Sequence, residues 1–331
     1  MMSAAPPPIR WGVVSTANIA RAVFLPGLRQ AGGGTAEAVA SRELSRAEQF
    51  AAEHGISRAV AGYQALIEDP GVDALYIALP NSMHAEWVIA ALRAGKPVLS
   101  EKPLSGNLAD TEAVLAVAAE TGTLLWEAFA FPFQAQMTSV REAAGGGAIG
   151  DLREIQSSFH FTVSRPENIR LSAELEGGAL NDVGCYPIRL AFDLFGAGHE
   201  SAWADAVWGG RGVDVESWGS LSYSGDRRLL LSCGFRRSYD TFTRVLGTAG
   251  EIRITNPFHP SARDHLDVVS PGRENRVEPA ADVPSFTPMI GHIHAALNRA
   301  EAPRLLAIDT ALPVARALHD LRASLSQPAL G

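Results

Sequence analysis

"IRWGVVSTANIARAVF", residues 9–24, passes from an apolar β-type run, Ile9–Val14, through Ser15-Thr16-Ala17-Asn18 into the helical pattern that begins near Ile19. A strand that enters a helix through small residues aims the N–H groups of the turn and of the helix start beyond the sheet edge. That cradle suits a pyrophosphate. The glycines of a dinucleotide-binding turn would fall at Ser15, Ala17 and Ala20, and none of the three is glycine. Taken alone, the stretch is equally an ordinary strand-to-helix connection, so the rest of the chain has to decide.

Outward from it, short β-rich runs alternate with helical ones as far as Glu127. Strands are expected at Ile9–Val14, Ala36–Ala40, Ala74–Leu79, Pro97–Leu99 and Thr123–Trp126. Between them lie helices with readable ends. "SRAE", 45–48, is a capping box, and the same helix closes at Gly55; helix 82–94 stops at Gly95 and helix 108–121 at Gly122. Stacked βαβ units of this kind form a doubly wound parallel sheet whose carboxyl edge carries the ligand. After Trp126 the texture changes. "GGGAIG", 145–150, is a turn, and the runs 151–163, 201–223 and 228–254 alternate like antiparallel strands. Helical pattern returns at 180–195, 288–299 and 305–325. The expected organisation is a flexible tail over 1–8, a Rossmann domain over 9–127, and an α+β domain with a mostly antiparallel open sheet over 128–331.

The 331 residues carry a formal net charge of -8, with 47% hydrophobic and 19% charged residues. Nucleic acid or an anionic membrane would call for clustered Lys/Arg, so neither is expected as a partner. No apolar run approaches a membrane span, and "MMSAAPPPIR" lacks the apolar core of an export signal. Two cysteines, Cys185 and Cys233, are too few for a disulfide framework and stand at no zinc spacing, so a reduced cytoplasm and no metal are expected.

Several strand ends carry chemistry. Where an NAD-binding protein usually holds an acid against the adenosine ribose, this chain has Ser41 and Arg42. A hydroxyl and a planar guanidinium suit a 2′-phosphate, which favours NADP, with NAD as second choice. In "YIALPNSMHAEWV" a buried strand ends at Leu79-Pro80-Asn81. Asn81 or Ser82 is the expected N-cap, and Asn81 and His84 are expected to line the cofactor pocket. "LSEKPLSGN", 99–107, sets Glu101 and Lys102 at the end of another buried run. In "EGGALNDVGCYPIRLAFDLFG", 176–196, Asp182 and Tyr186 are four apart and share a helix face.

The ordered set "GVVSTANIA", "LPNSMH", "EKP" and "GGALNDVGCYP" resembles the glucose-fructose oxidoreductase / inositol dehydrogenase / rhizopine-catabolism (Gfo/Idh/MocA) family over nearly the whole chain, in the branch of the dihydrodiol and xylose dehydrogenases. The resemblance implies that Ser15, Thr16, Ala17, Asn18, Ile19, Ser41, Arg42, Leu79, Pro80, Asn81, His84, Glu101 and Lys102 bind the cofactor. It implies a cis Lys102–Pro103 bond, Lys102 at the nicotinamide, and Asp182 and Tyr186 approaching from the second domain. The substrate is then a sugar, polyol or related diol, and the reaction a hydride transfer between nicotinamide and a carbinol or carbonyl carbon. Lysine and tyrosine both titrate near 10 in isolation, so neighbours must tune whichever of Lys102 and Tyr186 moves the proton.

Relatives tend to read "EAFMYRFHPQ" where this chain has "EAFAFPFQAQ", 127–136. Pro132, Gln134 and Ala135 are therefore departures at a loop near the cleft. Two alternatives stay open: an NDP-ketosugar reductase, for which Arg165 and Arg170 are candidate diphosphate ligands, and a non-catalytic dinucleotide-binding regulator. Aromatic residues at Phe159, Phe161, Trp208 and Trp218 suggest a sheet face covered by self-association, in a homodimer or larger assembly.

Overall fold

Six short parallel strands build the first sheet, in the order β3-β2-β1-β4-β5-β6, in the computed structural model, which describes residues 6–196, 198–261, 263–277 and 283–325. They are β1 (Ile9–Val14), β2 (Gly34–Ser41), β3 (Arg58–Ala61), β4 (Ala74–Ile77), β5 (Val98–Ser100) and β6 (Leu125–Glu127). Helices α1 (Leu25–Ala31), α2 (Leu44–His54), α3 (Tyr63–Ile67), α4 (Asn81–Arg93) and α5 (Leu108–Thr121) connect them. Burial on both faces explains why β1, β4 and β5 read as continuous apolar runs rather than alternating ones. The strand order reverses between β1 and β4, which is where ligands bind in open parallel sheets.

The chain divides into two compact units. The first contains the described residues through Ser105, with 109–130 and 283–310. The last of these segments corrects the expectation that everything after 127 belongs to the second domain. Helix α8 (Thr287–Leu297), reached only after the second sheet described below, packs on α1. Its buried face includes Met289, Ile290 and Ile293, and Trp11 of β1 donates its indole N–H to His294 Nε2 at 2.9 Å.

The second unit holds 106–108, the described residues from 131 to 277, and those from 311 on. Its sheet has the order β14-β13-β12-β11-β7-β10-β9-β8. The strands are β7 (Leu152–His160), β8 (Ser201–Trp208), β9 (Asp214–Tyr223), β10 (Arg227–Gly234), β11 (Thr243–Gly247), β12 (Glu251–Ile254), β13 (Leu266–Ser270) and β14 (Arg273–Val277). Only the β7–β10 pair is parallel. Helices α6 (Ala135–Gly145) and α7 (Cys185–Phe195) belong to this unit, as does most of α9 (Ala307–Ser324).

Local details depart from expectation in three places. The "SRAE" box does not cap α2: the helix starts at Leu44 after an extended Glu43 with no side-chain cap, although Gly55 does close it in the left-handed region. Neither Asn81 nor Ser82 is the N-cap of α4. Pro80 holds that position, and its ring fixes the entry angle in place of a capping bond. Phe159 is buried against Tyr186 and Phe258 on the helix side of the second sheet, and Phe161 lies against Phe235, so neither belongs to an open face. Residues 1–5 of the expected tail lie outside the described residues.

Candidate active site

The carboxyl ends of β2, β1, β4 and β5 bring together all the cofactor-site residues expected in the first unit. Ser15 follows β1 directly with φ 105°, a backbone region that favours glycine, and the fingerprint's first glycine would stand there. Its hydroxyl donates to Ala78 O at 2.8 Å and accepts from Ala17 N at 2.9 Å, so one side chain fastens the turn to the end of β4. Gly12 supplies the close approach inside β1, since a Cβ there would lie 2.8 Å from Leu75 Cδ2 and 2.9 Å from Val72 Cγ1. A π-helical turn, Ala20–Phe24, continues into α1. Thr16, Ala17, Asn18 and Ile19 are half-buried or exposed at the head of this turn, as a backbone cradle for a diphosphate requires.

At the end of β2, Ser41 is buried and Arg42 exposed, with no acid at either position. Tyr63, the first residue of α3, lies beside Arg42. Burial raises its phenol pKa and the guanidinium opposes that rise. The donors Ser41 and Arg42 fit a phosphate on the adenosine ribose.

The Lys102 turn is held on all sides. The Lys102–Pro103 bond is cis, as the resemblance implies. Glu101 N–H donates to Ile77 O at 2.9 Å, extending the β4–β5 ladder by one bond. The buried Glu101 carboxylate accepts from Tyr76 Oη at 2.7 Å and from Lys102 N at 3.3 Å. A second buried carboxylate, Glu127 at the end of β6, accepts from Leu104 N at 2.8 Å. Tyr76 and Glu127 are absent from the expected set. Their signal is positional, a polar group at the carboxyl end of a strand that the sheet order sets beside β5. Leu79, Asn81 and His84 follow β4, and His84 is fully buried rather than open to a pocket.

In the second unit, Asp182 and Tyr186 stand on one continuous helix, but Asp182 falls within a π-helical turn, Leu180–Gly184, that precedes α7. Such turns recur at functional sites. Arg170 Nε donates to Asp182 Oδ2 at 2.6 Å. Tyr186 is set among rings, 5.1 Å from Phe159, 5.2 Å from Phe258, 5.5 Å from His259 and 6.2 Å from Phe131. The 127–136 departures lie next to this cluster. Pro132 belongs to the buried turn Phe131–Phe133, and Gln134 and Ala135 start α6. The head of the Asp182 helix is fastened by Asp214 of β9, which accepts from Leu180 N and from Ser217 Oγ, both at 2.8 Å. Burial pushes the Asp214 carboxyl up, and those two donors oppose the shift. Among the described residues no group of three or more His, Cys, Asp or Glu side chains could hold a metal ion.

Comparison with known proteins identifies the family. Residues 9–129 match the oxidoreductase family with NAD-binding Rossmann fold, GFO_IDH_MocA, and residues 137–253 match the GFO/IDH/MocA C-terminal domain. A dTDP-3,4-didehydro-2,6-dideoxy-alpha-D-glucose 3-reductase of Streptomyces violaceoruber is 39% identical over 83% of this chain and 81% of its own. D-xylose 1-dehydrogenase (NADP(+)) 2 of Haloferax volcanii is 32% identical over 80% and 81%. The crystal structure of KijD10, a 3-ketoreductase from Actinomadura kijaniata in complex with NADP and TDP-benzene, superposes with a TM-score of 0.87 at 32% identity, covering 96% of this chain and 98% of that one. From its two matched domains and these relatives, the chain belongs to the Gfo/Idh/MocA family of NAD(P)-dependent oxidoreductases.

Proposed function

We propose that the protein is an NADPH-dependent ketoreductase acting on a carbonyl carbon of a nucleotide-linked deoxysugar, with Lys102 and Tyr186 serving the accompanying proton. One observation carries this reading. A lysine in a rigidly held turn at the cofactor sheet's carboxyl edge, and a tyrosine preceded by a paired aspartate, occur in a chain that matches a dTDP-ketosugar 3-reductase over 83% of its length. A regulator that only binds dinucleotide needs the cofactor cradle but not that set.

NADPH bound at the β1 turn supplies the hydride. The N–H groups of Thr16 to Ile19 hold the diphosphate, and Ser41 and Arg42 take the 2′-phosphate. Lys102 stabilises the oxygen that gains charge as the carbonyl is reduced, and Tyr186 donates the proton to it. Asp182, held by Arg170, orients the sugar hydroxyl beside the carbonyl. Because Arg170 is engaged with Asp182, it serves the diphosphate less well than Arg165, which is exposed.

The open face of the second sheet supports self-association into a homodimer or larger assembly. Trp203 is 54% exposed there, Leu230 lies in the same cross-strand row through Ser220, and Trp218 in the next. The buried thiols of Cys185 and Cys233 support a reducing, cytoplasmic setting.

The test follows absorbance at 340 nm with NADPH and a dTDP-linked 3-ketosugar, against NADP+ with free xylose, other aldoses and cyclic trans-diols. NADPH consumption confined to the nucleotide-linked sugar supports the reading. Oxidation of a free sugar or diol with no reduction of the dTDP-sugar overturns it in favour of a sugar dehydrogenase.

A further inference from the structure

His84 lies in the first turn of α4, fully buried, and each of its ring nitrogens faces a backbone carbonyl oxygen. Nδ1 is 2.9 Å from Pro103 O, and Nε2 is 2.8 Å from Leu79 O. Carbonyls only accept, while a neutral imidazole has a single N–H to give. A histidine kept for packing pairs its N–H with an acceptor and its lone pair with a donor. His294 does so, with Gly32 O on Nδ1 and the Trp11 indole N–H on Nε2. His292 does so too, between Glu301 and Arg304 N. His84 does not follow that pattern. Burial lowers its pKa below the usual value; the contacts with the Pro103 and Leu79 carbonyls oppose that shift, and the Lys102 ammonium adds a smaller lowering, so the second contact is made against an energetic cost.

Both carbonyls belong to the active-site edge. Leu79 follows β4, and Pro103 follows Lys102 directly. With His84 included, four backbone polar groups of the turn have protein partners: Glu101 N with Ile77 O, Lys102 N with the Glu101 carboxylate, Pro103 O with His84 and Leu104 N with Glu127. We propose that His84 is a positioning residue for Lys102, a clamp between the Pro103 and Leu79 carbonyls that fixes the lysine's backbone against the end of β4. The proposal rests on the reading of Lys102 as the residue that stabilises the reacting oxygen. It gives His84 a task distinct from lining the cofactor pocket.

The experiment compares His84→Leu, which has no donor, with His84→Gln, which keeps an amide donor, in the otherwise natural enzyme and in Lys102→Ala. Turnover and KM are measured with NADPH and the sugar identified at 340 nm, NADPH affinity by fluorescence titration, and folding by thermal melting. A misplacement on the ångström scale costs about 10²-fold, so His84→Leu should lower kcat on that order with the KM for NADPH little changed. His84→Gln should restore much of the loss. In the Lys102→Ala background His84→Leu should cost nothing further, because it acts only through the lysine. Multiplied losses in that background, or loss of NADPH affinity with kcat intact, overturn the clamp and leave His84 a structural residue. Should His84→Leu fail to fold, His84→Gln decides by the same cycle, since it must then cost turnover only where Lys102 is present. Loss in Lys102→Ala with none in either His84 variant overturns the clamp alone; natural turnover in Lys102→Ala overturns the reading of Lys102 and the clamp with it.

Discussion

Arg170 and Asp182 form a charge-assisted hydrogen bond of 2.6 Å, and the same guanidinium lies 5.6 Å from the centre of the Phe161 ring. The aspartate is thus a fixed carboxylate rather than a mobile one, as a group that orients a substrate hydroxyl must be. Asp182→Asn should lower turnover less than Tyr186→Phe does. Arg170→Ala should raise the KM for the sugar while NADPH affinity holds. Steady-state kinetics with fluorescence titration check both, and a fall in NADPH affinity in either variant would contradict the assignment.

Cofactor preference should follow Arg42. Its exposed guanidinium at the end of β2 has no acid at positions 41 or 42 to compete with. Arg42→Ala should raise the KM for NADPH far more than that for NADH, because only the former carries the phosphate. Equal effects on the two would remove Arg42 from the selection.

Stability should fall on mild acidification. His294 fits its site only as neutral imidazole, with Gly32 O accepting from Nδ1 and Trp11 donating to Nε2, and burial lowers its pKa. The unfolded ring titrates near 6.5, so the unfolded chain takes the proton first. The contribution is therefore fully present above about pH 6.5 and is lost as pH falls through the depressed folded value. His84 and His160 are shifted the same way, each chiefly by burial. The melting temperature should drop from pH 7 to pH 5, and His294→Gln should flatten the slope. An equal slope in that variant would contradict the assignment.

Gly34→Ala should disturb the same contact sterically. A Cβ at position 34 would lie 2.6 Å from both Cε1 and Nε2 of His294, which has no room to withdraw without releasing Trp11. Overpacking of this kind costs about 1–3 kcal/mol, readable by urea unfolding.

How legible the molecule was depended on the range of the determinants. β1 reads correctly to the residue, because Ile9–Val14 is buried at every position but Arg10 and is followed by small turn residues. Gly55, Gly95 and Gly122 end their helices in the left-handed region, since that conformation has a local residue signature. β3, four residues with no alternation, leaves no periodic trace, nor do β13 and β14. The return of 283–310 to the first unit depends on α8 meeting α1, which lies about 260 residues back along the chain. At the candidate site, motif order is what picks out Lys102, Asp182 and Tyr186 as the residues to test. The carboxylates that hold the Lys102 turn could not be picked out in this way, because Glu127 reaches Leu104 only through the β5–β6 pairing. The positive φ of Ser15 also escapes a reading that looks for glycine.

The central claim is that Lys102 and Tyr186 serve one proton-handling step, and a double-variant cycle tests it most directly. Turnover is measured for Lys102→Ala, Tyr186→Phe and the two combined, with NADPH affinity followed by fluorescence. General acid–base assistance is worth about 10²–10⁴-fold, so each single change should cost that much while NADPH still binds. If the two residues act on the same step, the double variant loses much less than the product of the single losses. Fully multiplicative losses, or natural turnover in Tyr186→Phe, would contradict the account.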